Sequence, residues 1–88
     1  MAIEQSASPR DQIREFIRRD LASAKGVETF SDSESLMESG VIDSLGIFRL
    51  VAFLEETFRV RIGDEEITHD NLKSVDSIEQ MVVSKLKK

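Results

Sequence analysis

The side chain best suited to chemistry in this chain is Ser44, in the run Gly40-Val41-Ile42-Asp43-Ser44-Leu45. The apolar spacing that follows predicts an amphipathic helix starting at that serine. The first N–H groups of a helix lack partners, and the macrodipole is positive there, so the position favours negative charge. A hydroxyl at that end is suited to carrying a phosphate ester. Ser44 is therefore expected to be an attachment point rather than a nucleophile. On the Asp-Ser pair alone, the simpler expectation is a helix cap.

Other chemistries find little support. The nucleophile elbow G-x-S-x-G needs glycine two residues before the serine, where Ile42 stands. The single histidine, His69, is expected in solvent after the second helix and not beside an acid in a triad. Asp32 and Glu34 open like a calcium loop, but the sixth position is Met37 instead of glycine. Asp64, Glu65 and Glu66 are consecutive, so a helix would splay them over a solvated surface. The chain has no cysteine, which excludes disulfides and thiolate metal sites.

Four helices are expected to position the serine. Ser8 reads as an N-cap, Pro9 as the first helical residue and Asp11 as the acid of the capping position. Ile13, Phe16, Ile17 and Leu21 follow at helical spacing and Gly26 stops the helix, giving a first helix over 9–25. In the second helix Ile47, Leu50, Val51, Leu54 and Phe58 share a core face. Leu45, Phe48, Arg49, Ala52, Glu55, Glu56 and Arg59 fall on the other side, so two apolar residues flank Ser44 outside the core. This helix is expected to end by Arg61, with Gly63 as the break. A short third helix is expected over 68–73. Ser74 then caps a last helix with Val75, Ile78, Val82 and Leu86 toward the core. Residues 26–43 form a long serine-rich connection, which Leu36, Val41 and Ile42 are expected to pin. The fold expected is all-α, a small four-helix bundle with a long loop between helices 1 and 2. One domain spans residues 1–88, with 1–8 expected to be disordered.

The chain has 88 residues, 40% of them hydrophobic, enough for a small core but not for a deep catalytic pocket. No run approaches the roughly 20 apolar residues of a membrane span. The start of the chain lacks the basic-then-apolar pattern of a secretory signal, so a cytoplasmic protein is expected. Net charge is −5, but residues 31–70 alone carry −7, around Ser44 and the helix after it. An acidic middle repels nucleic acid and anionic membrane and attracts basic protein surfaces. It also suits plain solubility.

Gly40, Asp43-Ser44-Leu45, Leu36, the ending Leu54-Glu55-Glu56-Thr57-Phe58 and the exit Ile62-Gly63-Asp64-Glu65-Glu66 stand together here. This combination resembles the acyl carrier proteins and the related peptidyl and D-alanyl carriers, over nearly the whole chain. The resemblance implies that a phosphopantetheinyl transferase moves 4′-phosphopantetheine from coenzyme A onto Ser44. The arm's thiol would then hold acyl or aminoacyl groups as thioesters, and the chain itself would not be an enzyme. It further implies that Asp43, Leu45, Glu55 and Glu56 contact the transferase and the ligase or synthase enzymes, whose docking patches would be basic. Val51, Leu54, Phe58 and Ile62 match core positions that can line an acyl pocket between helices. A monomer is implied, because helix 2 must stay open to successive partners. Arg49 and Gly46 stand where fatty-acid carriers usually have acids, and Phe48 is bulkier than usual. These departures imply a specialised carrier in a dedicated pathway rather than general fatty acid synthesis. The Ser-Leu-Gly run is also similar to D-alanyl-type carriers loaded by adenylate-forming ligases. The competing expectation is an unmodified helical interaction module, with Ser44 only a cap.

Overall fold

In the computed structural model, residues 8–27 and 29–86 are described; the expectation of a disordered start therefore lies outside them, apart from Ser8. Helix α1 (Pro9–Phe16) runs on through a π-helical segment (Ile17–Ala22) and a 3-10 turn (Ser23–Lys25). Helix α2 (Ser44–Phe58) follows the long connection. A 3-10 turn (Asp64–Glu66), the short helix α3 (His69–Leu72) and helix α4 (Val75–Leu86) complete the chain. The described residues are helical with no strand, so the all-α expectation holds.

The sequence signals at the helix ends act as caps. Ser8 Oγ accepts the Asp11 N–H at 3.2 Å, with Pro9 at the first helical position. At the far end Gly26 takes φ +77°, the Gly26 N–H donates to the Ser23 carbonyl, and the Val27 N–H donates to the Ala22 carbonyl at 2.9 Å. This closure satisfies carbonyls that the helix leaves open, and its left-handed residue favours glycine. Thr68 caps α3, and Ser74 Oγ accepts the Ser77 N–H at the start of α4.

One core joins these elements. Ile13 and Ile17 from the first helix, Leu50 and Leu54 from α2, and Val75, Ile78 and Val82 from α4 are fully buried together. Leu36, Val41 and Ile42 are buried among them, so the connection is pinned as expected. Phe16 stacks on Phe53 with ring centroids 4.2 Å apart, and Phe58 meets Phe53 edge-on at 6.2 Å. These rings link α1 to α2.

One sequence expectation needs correction. Leu86 is 47% exposed, and Met81 takes its place in the core. Helix α2 ends before Arg61, as expected: it stops at Phe58, where Arg59 turns left-handed at φ 58°. The turn lets Ile62 bury and brings its N–H to the Glu55 carboxylate at 2.9 Å.

Charge secures the long connection. Asp32 in the loop accepts from Arg14 at 2.8 and 2.9 Å and from Arg10 at 2.9 Å. Arg10 also reaches Asp76 and Glu79 on α4. The Asp32 carbonyl accepts the Asp76 N–H at 3.0 Å. Arg14, then Arg10, hold the Asp32 carboxyl down at about 2 against burial, which acts the other way. A depressed folded value means that this contribution is present above the unfolded value near 4 and is lost as pH falls toward 2. Asp32→Asn is therefore expected to lower stability at pH 7 by about 1 kcal/mol, screened because the site is partly exposed. Thermal unfolding should show that gap at pH 7 and its closure by pH 2. At the end of α2, Arg59→Gly should raise stability by roughly 0.5–1 kcal/mol by relieving the left-handed backbone. The denaturant midpoint checks it.

Candidate functional site

Ser44 is the first residue of α2 and is exposed. The cap is Asp43, not Ser44: Asp43 Oδ1 accepts the Gly46 N–H at 2.8 Å, and its carbonyl accepts the Ile47 N–H at 3.0 Å. The helix is thus capped without the serine, whose hydroxyl is left for other use. With Gly46 taken, the N–H groups of Ser44 and Leu45 are the ones that open at the helix end.

The connection sets where this end lies. The Leu36 N–H donates to the Lys73 carbonyl at 2.8 Å, and the Leu36 carbonyl accepts the N–H groups of Val41 (2.9 Å) and Ile42 (3.1 Å). Gly40 makes this reversal possible with φ +86°. Val41 and Ile42 then bury, and the next two residues, Asp43 and Ser44, emerge on the surface.

Lys25, at the end of the first helix, reaches Asp43 Oδ2 at 2.5 Å. Lys25, then the Gly46 N–H, push the Asp43 carboxyl below its usual value. The pair joins the end of one helix to the start of the next. Gly46 is buried where the two meet. A Cβ there would lie 3.3 Å from Asp43 Oδ1 and from Ile42 Cγ2, and 3.6 Å from Leu21 Cδ2. Glycine at this position follows from close approach, and an acid would have to be accommodated in the joint.

Around Ser44 the surface is apolar. Leu45 is 72% exposed, Phe48 64% and Met37 39%. The two residues singled out by the helical wheel are outside the core as expected, and Met37 joins them from the loop. The expected acidic partner contacts are more varied. Asp43 is occupied by Lys25 and the cap, Glu55 is half-buried and holds the Ile62 N–H, and Glu56 is exposed. Arg49 is exposed on the same helix. Sequence reading missed Lys25 and Met37; a lysine in a helix's last turn ordinarily serves its own dipole, and nothing local links it to residue 43.

Two small hollows flank Ser44. One, of about 180 Å³, lies between the first helix and α2, lined by residues including Leu21, Lys25, Val41, Gly46 and Arg49. The other, of about 130 Å³, lies between α2 and α3, lined by Met37, Ile47, Ile67, Thr68, His69 and Leu72. The residues that can line an acyl pocket hold core positions as expected, and none of them lines either hollow: Val51, Leu54 and Ile62 are buried, and Phe58 packs against the core. His69 is exposed at the start of α3, in keeping with the solvated position expected. Among the described residues no group of three or more acidic, histidine or cysteine side chains is placed to hold a metal ion. Among the described residues no helix is long and apolar enough to cross a membrane.

Comparison with known proteins bears on this geometry. Residues 11–82 match the family described as phosphopantetheine attachment site. D-alanyl carrier proteins of Streptococcus pyogenes are 39% identical over 49 residues, which is 56% of this chain and 62% of theirs. The match thus spans less than two thirds of those relatives. An acyl carrier protein from Thermotoga maritima has a similar structure, with TM-score 0.66 and 27% identity over 93% of this chain and 95% of that one.

The two functions of Asp43 are separable. Asp43→Ala should lose the cap and cost about 1 kcal/mol. Asp43→Asn keeps a cap but loses the charge opposite Lys25, and should cost only a few tenths. Paired thermal melts at low and high salt check this: added salt should narrow the Asn gap and leave most of the Ala gap.

Proposed function

The chain belongs to the phosphopantetheine attachment site family, and from that premise we propose that this carrier protein takes 4′-phosphopantetheine on Ser44. The observation that carries the assignment is the division of labour at the start of α2. Asp43 caps the helix, and Ser44 presents its hydroxyl to solvent beside open N–H groups. Those groups and the helix dipole favour the negative phosphodiester. Ser44 contributes the hydroxyl oxygen to a new P–O bond. The pyrophosphate bond of coenzyme A breaks, the adenosine bisphosphate half leaves, and the hydroxyl proton passes to a base of the transferase. When bound, the group supplies a terminal thiol for thioesters, chemistry that a cysteine-free chain does not have.

The partners proposed are a phosphopantetheinyl transferase and acyl or aminoacyl ligases or synthases. They would dock on Leu45 and Phe48, with Glu56, and Asp43 and Glu55 where these exchange their internal partners, meeting basic groups. The anchor in this reading is apolar, because Lys25 and Arg49 offset the acids nearest Ser44. Similarity to D-alanyl carriers supports loading by an adenylate-forming ligase in a dedicated pathway.

Intact mass after incubation with coenzyme A and a broad-specificity transferase tests the assignment. One added phosphopantetheine is expected, and none on Ser44→Ala. No gain on folded protein with transferases of more than one class would instead leave an unmodified interaction module.

A further inference from the structure

Resting on that reading, we propose that Lys25 is the counterion of the group on Ser44: its ammonium donates to the phosphodiester while Asp43 holds it in place. Two observations lead there. The first is where the lysine stands. The first helix closes around Gly26, with the Gly26 N–H on the Ser23 carbonyl at 3.1 Å and the Val27 N–H on the Ala22 carbonyl at 2.9 Å. That closure fixes the backbone of Lys25, whose Nζ donates to Asp43 Oδ2 at 2.5 Å. Asp43 is the residue before Ser44, and consecutive Cα atoms are about 3.8 Å apart. A lysine carries its charge on a flexible four-carbon stem, so a phosphoryl oxygen on the next residue lies within its sweep.

The second observation is what the ammonium has left to give. It has three donors and no acceptor, and Asp43 takes one of them. The two side chains are 41% and 50% exposed, so the ammonium is open to a further acceptor. Asp43 works from both oxygens, Oδ1 on the Gly46 N–H at 2.8 Å and Oδ2 on Lys25, and so ties the ammonium to the start of α2. A phosphodiester on Ser44 is a fixed anion one residue from that carboxylate. Two anions so close repel, and a cation shared between them offsets the repulsion. Arg49 also lines the hollow between the first helix and α2, but it is placed differently. Five residues beyond Ser44, it starts about 7.5 Å along the axis and roughly 140° around the helix. Lys25 is therefore the cation assigned to the phosphodiester.

The test drives loading from coenzyme A to completion with the broad-specificity transferase, checked by intact mass. It uses the wild type, Lys25→Gln, Lys25→Arg and Arg49→Gln. Melting temperature is read for the bare and loaded forms at low and high salt, together with the phosphorus-31 shift of the phosphodiester. At low salt the change in melting temperature on loading should be less favourable in Lys25→Gln than in the wild type by roughly 1–4 °C, the size of a partly exposed ion pair in a domain of this length. Lys25→Arg should restore the wild-type change, Arg49→Gln should keep it, and high salt should close the gap. The phosphorus shift of loaded Lys25→Gln should move toward that of the loaded wild type unfolded in urea. Equal changes in wild type and Lys25→Gln, with one phosphorus shift for both, would overturn the contact. So would an equal loss in Lys25→Gln and Arg49→Gln, which marks the general field of the surface. Lys25→Met, which keeps an apolar stem, repeats the comparison should Lys25→Gln fold poorly by circular dichroism. A folded chain that takes no group from transferases of more than one class is a different result: it removes the carrier reading, and this inference with it.

Discussion

The exposed start of α2 depends on one residue of the long connection. Leu36 is fully buried, and both its backbone groups are engaged: the N–H with Lys73, the carbonyl with Val41 and Ile42. Buried backbone groups must find partners, and a connection of 18 residues between helices has few regular ones to use. By binding the end of α3 on one side and the approach to α2 on the other, Leu36 fixes where Asp43 and Ser44 leave the core. Gly40 is required for the same reason, since the reversal back to the Leu36 carbonyl needs a positive φ. The site's position is thus set by backbone hydrogen bonds, and its side chains are free to face solvent.

Charge plays a second, more local part. The acids of residues 31–70 are not one undivided repelling surface. Asp32 is drawn into Arg10 and Arg14, Asp43 into Lys25, and Glu66 into Lys85. Each pair joins elements far apart in sequence: loop to first helix, helix end to helix start, 3-10 turn to α4. Exposed ion pairs contribute little singly, but Asp32 meets two guanidiniums in three contacts, and its carboxyl value falls accordingly. The consequence for the site is that less acid faces outward near Ser44 than the sequence count implies. The surface there is carried by Leu45, Phe48 and Met37.

What could be read from the sequence follows this division between local and distant causes. Helix starts and stops were legible wherever a local signal decides them, as at Ser8, Gly26, Thr68 and Ser74. The wheel of α2 placed Leu45 and Phe48 outside and Ile47, Leu50, Val51 and Leu54 inside correctly, because periodicity reports burial. The simpler alternative, Ser44 as the cap, does not hold: Asp43 caps the helix and leaves Ser44 available. Arg59 carried no signal for a left-handed stop, since a non-glycine residue adopts that backbone only under tertiary demand, here the burial of Ile62. The partners of Lys25, Asp32 and Glu55 lay beyond reach because they come from other elements. That Val51, Leu54, Phe58 and Ile62 hold core positions was legible; whether they border open space was not. Whether a core position lines a void depends on how well facing side chains fill it, and the three phenylalanines are decisive only once their packing is known.

These features make a small domain with two unlike halves of one helix. The inner face of α2 is committed to packing, and in a chain of this size the core has little to spare for a binding cavity. The outer face carries almost none of that burden, so Leu45, Phe48, Ala52 and Glu56 are free to vary with the partner without unfolding the protein. Ser44 sits at the junction, on the solvent side of a capped helix end. A group attached there gains from the helix terminus without disturbing the core. Attachment adds reach that the fold lacks, because a tethered arm presents its cargo at high effective concentration to whichever enzyme is docked. A domain whose interior is full has reason to keep its chemistry on such an arm.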